Sequence, residues 1–110
     1  MSYWCGFNNA AGKAARGEPG GIDSINMTSN VAPMWRLAGA DLAAMNGMDT
    51  VRARIMLAGA VHAMLLRPED FKKLNPENGW GDYEGTVQYL MKLCIMASEV
   101  EPDDTFYANH

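Results

Sequence analysis

Residues 82–100 read DYEGTVQYLMKLCIMASEV, and their spacing decides the fold class to which the rest of the chain must be fitted. Tyr83, Val87, Leu90, Met91, Cys94, Ala97 and Val100 recur at intervals of three and four, which puts them on one face of a helix. Asp82 stands where an N-cap belongs, Glu84 suits the positive end of the helix, and Pro102 follows its last turn. No other stretch carries so regular an apolar stripe.

Working upstream, Ser29 or Asn30 can cap a helix with Pro33 in its first turn and Met34, Leu37, Ala38, Leu42 and Met45 at helical spacing, ended by Gly47. Asp49 can then cap a second helix with Val51, Ile55, Ala58, Val61, His62 and Leu65 on one stripe, stopped by Pro68. So short a link predicts antiparallel neighbours. RPEDFKKLNP, residues 67–76, reads as a single helical turn with acids first and lysines last. Residues 8–30 are rich in Gly, Asn and Ala and are expected to be mostly loop. Downstream, TFYANH can pair with SYWCGF at the other end. The expected architecture is a single mainly α domain over 1–110: a loop-rich segment 1–28, a helical core 29–100 and a C-terminal strand or tail 101–110. It contains three helices, a short turn helix and a small two-stranded terminal β-ribbon.

Composition excludes several classes. The 110 residues are 48% apolar, which indicates a folded globule rather than a disordered chain. A net charge of −4 gives no general attraction for phosphate polymers or anionic membrane, so bulk nucleic-acid binding is disfavoured. The longest apolar-leaning stretch, around Ile55 to Leu66, is interrupted by Gly59 and His62 and is too short to span a bilayer. Cys5 and Cys94 have no partner at metal or redox spacing and read as reduced thiols; with no signal-peptide pattern at the start, a cytoplasmic location is expected.

Catalytic and cofactor signatures are weak. FNNAAGKA resembles a phosphate loop but has Phe7 where the first glycine belongs and Ala14 where the hydroxyl belongs. His62 and His110 have no Cys or His at i+3 or i+4, and His62 reads as a core or pocket-lining residue, so no metal and no cofactor are expected. Cys94 lies on the apolar stripe, where a thiolate is unfavourable. Glu69, Asp70, Glu77, Asp82 and Glu84 can be read as an acid/base set, but helix ends and solvent account for them more simply.

Two polar segments are harder to reduce to structure. NPENGWGDYEG, residues 75–85, sets Trp80 between Gly79 and Gly81, next to Asn78, Asp82 and Tyr83. The aromatics offer flat faces, and the amides that open the following helix suit an anion unless Asp82 satisfies them. The bland reading is that Trp80 packs between helix ends and locks the elbow. NMTSNVAPMW, residues 26–35, supplies Asn26, Thr28, Ser29 and Asn30, where capping needs only one such residue. If the two segments meet, Asn26, Thr28, Asn30, Met34, Trp35, Arg36, Asn78, Trp80, Asp82 and Tyr83 form a binding site. Lys13, Arg16 and Arg36 are then candidate anion partners.

NMTSNVAPMWRLAG and NPENGWGDYEGTVQYLMKL resemble a small protein family of phages and bacterial, often actinobacterial, genomes. Its members share an Asn-x-Thr-x-Asn-(Val or Leu)-x-Pro-Met segment and an Asn-Pro-x-Asn-Gly-Trp-Gly-Asp-Tyr-Glu-Gly elbow before a helix. The likeness covers roughly residues 24–100. Family members begin with a regular strand and a short link, whereas this chain has a glycine-rich stretch over 6–21. The resemblance implies a fold and a phage setting, and no catalytic residues.

Three functions follow as expectations. The first is a phage-type accessory protein that binds a small polar ligand, such as a cyclic nucleotide or related signal of host immunity, and sequesters it without catalysis. The second is a protein–protein inhibitor or adaptor of a host factor, with the nine methionines and the aromatics as an adaptable surface. The third is a small nucleotide-processing enzyme using Asp82, Glu84 or His62. A homo-oligomer with a site shared between subunits is compatible with so short a chain.

Overall fold

The structure, a computed structural model, describes residues 2–8 and 25–109. Lys13, Arg16 and most of the glycine-rich segment fall outside the described residues.

A three-stranded antiparallel sheet forms one layer. Strand β1 (Ser2–Asn8) is central, flanked by β2 (Ile25–Thr28) and β3 (Thr105–Asn109). The period-two alternation of β1 sends Tyr3, Cys5 and Phe7 into the core and leaves Trp4 on the outer face. Met27 joins the inner face from β2, and Phe106 and Ala108 join it from β3. Phe7 sits directly opposite Phe106, their rings edge to face at 5.5 Å.

This sheet overturns the mainly α reading. Among the described residues the fold is mixed, four helices on a three-stranded sheet, rather than helices with a terminal ribbon. The pairing of SYWCGF with TFYAN is present, in register Trp4↔Asn109 to Asn8↔Thr105. The ribbon became a sheet because Ile25–Thr28, expected as loop, hydrogen-bonds along the free edge of β1 in register Ser2↔Thr28 to Cys5↔Ile25. A four-residue strand with Met27 its one buried side chain has too short a pattern to announce itself.

After β2 the chain makes one 3-10 turn, Ser29–Val31, capped by the Thr28 hydroxyl, which accepts the Asn30 N–H at 3.3 Å. Helix α1 (Ala32–Ala38) follows and stops eight residues before the expected Asn46, because Gly39 takes φ +99° and its N–H closes the helix onto the Arg36 carbonyl. Leu42 and Met45 are still buried, delivered by turns instead of helix. Helix α2 (Thr50–Leu66) is capped by Asp49, whose carboxylate accepts the Arg52 N–H at 2.9 Å. Its buried face is Thr50, Ala53, Leu57, Ala60 and Met64, not the expected stripe, and His62 is exposed.

Helix α3 (Pro68–Lys72) is the single turn read from the sequence, with Phe71 buried beneath it. Helix α4 (Tyr83–Glu99) buries Tyr83, Val87, Leu90 and Ala97 of the expected stripe but leaves Met91 exposed and Cys94 half-buried. The Tyr83 hydroxyl donates to the Met64 carbonyl at 2.6 Å, tying the start of α4 to the end of α2. At the other end the Thr50 hydroxyl donates to the Asp104 carbonyl at 2.6 Å. α2 and α4 are therefore an antiparallel hairpin, with the sheet and α1 against its inner face.

Beyond β3, residues 46–48 cover the edge: Gly47 N–H reaches the Phe106 carbonyl and Phe106 N–H the Met48 carbonyl, both at 2.8 Å. The Asn46 side chain accepts the Ala108 N–H at 3.0 Å. On the β2 side the Tyr89 hydroxyl donates to the Ile25 carbonyl. Among the described residues no helix is long and apolar enough to cross a membrane.

Candidate functional site

The elbow between α3 and α4 is built on two asparagines. Asn75 accepts the Tyr83 N–H and Asn78 accepts the Trp80 N–H, each at 2.9 Å, so both side chains replace backbone partners that a tight turn lacks. Asp82 caps α4 by accepting the Gly85 N–H at 2.7 Å. Two of the amides that open the helix are thus occupied, which removes much of the expected attraction for an anion.

Gly81 sets where the elbow sits. Its φ is +95°, and a Cβ there would lie 2.7 Å from a Val31 methyl and 2.8 Å from the Thr28 methyl. The elbow backbone therefore rests directly on the 3-10 turn, which only glycine permits at that distance. That seating carries Trp80 over the end of β2. The indole keeps 71% of its surface in solvent, so it does not lock the helix ends together.

Trp80, Asn30, Thr28, Asn26 and Ser2 line one open hollow of about 420 Å³. A second, smaller hollow of about 170 Å³ shares Asn26 and Thr28 and runs on toward Gly81, Asp82, Thr86 and Tyr89. The Asn26 amide N–H groups are held by the Ser2 hydroxyl at 3.0 Å and the Tyr3 carbonyl at 3.3 Å, which fixes its rotamer. The Thr86 hydroxyl donates to the Asp82 carbonyl at 2.7 Å. The larger hollow offers one exposed indole, two amides and two hydroxyls, and the smaller adds the hydroxyls of Thr86 and Tyr89 and the capping carboxylate of Asp82.

Of the residues expected at a site, Asn26, Thr28, Asn30, Trp80 and Asp82 come together. Asn78 stands behind Trp80 as a turn-former and lines neither hollow. Met34 and Trp35 are fully buried; Trp35 packs edge-on against Tyr3 with ring centroids 5.8 Å apart. They fall on the inner side of α1 because the apolar half of the segment faces the sheet. Tyr83 is buried on the α2 side, with the Lys72 ammonium 5.4 Å over its ring. Arg36 lies over the Trp35 ring at 5.2 Å and beside Asp41 at 3.8 Å, away from both hollows, so it is not the anion partner expected of it. Among the described lining residues there is no cation. Ser2 was not expected there: it comes from β1, and only the pairing with β2 brings it close.

Cys5 is enclosed in the core, where burial pushes its thiol up to about 11, partly offset by its hydrogen bond with Tyr89. Burial and the neighbouring Cys5 raise Tyr89 well above the usual phenol range. Burial also raises the Cys94 thiol. Both cysteines are free, and neither environment favours a thiolate. Among the described residues no group of His, Cys, Asp or Glu could hold a metal ion. Of the nine methionines, Met27, Met34, Met45, Met64 and Met96 are core residues, so the adaptable methionine surface expected of the chain is largely inside it.

Comparisons with protein-family models, with curated proteins and with solved structures return no match.

Proposed function

We propose that the hollow beneath Trp80 binds a small polar molecule with a flat heteroaromatic part, of the nucleotide class, and holds it without turnover. The observation that carries this reading is the exposed indole set directly over Asn26, Thr28, Asn30 and Ser2. An exposed Trp costs solvation and contributes nothing to the core, and its face suits stacking on a base. The amides and hydroxyls below suit the edge of a base or the hydroxyls of a ribose. Asp82, the carboxylate that lines the smaller hollow, is engaged in capping α4, which favours recognition over acid/base chemistry as the task of this surface. The resemblance of the two motifs to the phage and actinobacterial family adds a phage setting alone; sequestration of a nucleotide signal of host immunity is the reading that joins that setting to the character of the hollow.

The test is thermal stabilisation of the purified protein by a panel of linear and cyclic nucleotides, followed by recovery of the ligand. A binding nucleotide should raise Tm, quench Trp80 fluorescence and be released unchanged after denaturation. Trp80→Ala and Asn30→Ala should each abolish the shift while leaving the unliganded Tm in place. A chemically altered product, or binding undiminished in both variants, would refute the proposal.

A further inference from the structure

The stripe that the sequence assigns to the core of α2 is the one the fold leaves outside. Ile55 and Leu65 are 65% and 56% exposed, and on α4 Met91 and Ile95 are 44% and 56% exposed. The core takes the opposite side of α2, through Ala53, Leu57, Ala60 and Met64. α2 thus carries apolar side chains on its outer side as well as its core side, with Arg52, Arg54 and His62 the exposed polar residues among them, and a helix apolar on both sides is suited to burial on both. Between the two helices a groove of about 290 Å³ is lined by Ala58, Val61, Met91, Cys94 and Ile95, with scarcely a polar atom in its wall. This face lies on side chains that line neither hollow under Trp80.

We infer that the outer face of the α2–α4 hairpin docks a second copy of this chain, closing an antiparallel four-helix bundle around a two-fold axis. Such an interface is self-complementary, because each copy brings the same ridge and the same groove. Charge agrees with it. α2 carries arginines at both ends, Arg52 and Arg54 at one and Arg67 after the other, while α4 carries Glu84 at its start and Glu99 at its end. A two-fold axis parallel to the helices lays each α2 against the second copy's antiparallel α4, so every arginine end meets a glutamate end.

The size is sufficient and no more. Helices of 17 residues at about 1.5 Å per residue and about 9 Å apart present a face of roughly 25 by 20 Å, so the pair buries about 1,000 Å², the threshold for a specific interface. An interface at that lower limit suits a weak association, with monomer and dimer exchanging.

Sedimentation velocity of the full chain from low-micromolar to near-millimolar concentration should show the mass rising from one copy toward two. The rate at which Cys94 reacts with a maleimide should fall over the same range, since dimerisation covers the groove that it lines. The double variant Ile55→Glu, Ile95→Glu should stay monomeric, keep the wild-type circular dichroism melt because both positions are exposed, and react at Cys94 at a concentration-independent rate. A monomer at every concentration would overturn the inference. So would a dimer that the double variant leaves intact, or association only with a different protein.

Discussion

Trp80 keeps most of its surface in solvent while Trp35 is wholly enclosed, and truncation separates the two roles. Trp35→Ala should lower folding stability by about 3–5 kcal/mol, because it empties a core site against Tyr3 and the sheet. Trp80→Ala should cost less than about 0.5 kcal/mol. Urea denaturation of both variants reads the difference. At Gly81 a methyl group meets both an unfavourable φ and the 3-10 turn. Gly81→Ala should therefore destabilise by about 1–3 kcal/mol and lift Trp80 off Asn30, seen as weakened binding in the nucleotide panel with Trp80 still present. At this scale the sequence pointed to Asn26, Thr28, Asn30, Trp80 and Asp82, because more polar residues stand before α1 than a cap needs and an indole stands between two glycines. It also pointed to Met34, Trp35 and Tyr83, which turn inward. Proximity along the chain does not say which side of a helix a residue occupies, and Ser2 carries no local signal at all.

The helix starts behave as their residues require. Asp82→Ala should remove the cap on α4 and cost about 1 kcal/mol. Asn75→Ala, which frees the Tyr83 N–H, should cost about 1–2 kcal/mol. Both are measurable as lower denaturation midpoints with the helix spectrum retained. The caps at Asp49 and Asp82 and the turn at Pro68 are legible from residue type because their hydrogen bonds are local. The end of α1 is not: Gly39 and Gly47 are both competent stops, and both have positive φ, so only the chain's path over the sheet selects the earlier one. The buried face of α2 was misread for a different reason. With apolar residues on every side, periodicity has no minimum to find, and alanines chosen for close approach, Ala53 and Ala60, score below the larger side chains opposite them.

For the molecule as a whole the decisive contacts span nearly its full length, since Trp4 pairs with Asn109. The β1–β3 pair is visible in sequence as two short aromatic-rich runs, but β2 is not, so the sheet and hence the fold class emerge only in three dimensions. The thiol beneath that sheet gives it an alkaline limit. Cys5 titrates at 9.0 when exposed and at about 11 in the fold, so the unfolded chain loses the proton first. Stability is fully present below pH 9 and declines between pH 9 and 11, by up to about 2–3 kcal/mol. Denaturant titrations from pH 8 to 11 should show the decline, and Cys5→Ala should reduce it, leaving the remainder that the raised Cys94 thiol and Tyr89 phenol contribute. The two borders of the sheet carry a last consequence. Residues 46–48 already occupy the hydrogen-bonding groups beyond β3, and Tyr89 holds a carbonyl of β2. A stray extended peptide finds the β3 margin taken and only a four-residue edge at β2, too short to template fibre growth, so concentrated solutions should stay clear and fail to bind amyloid dyes.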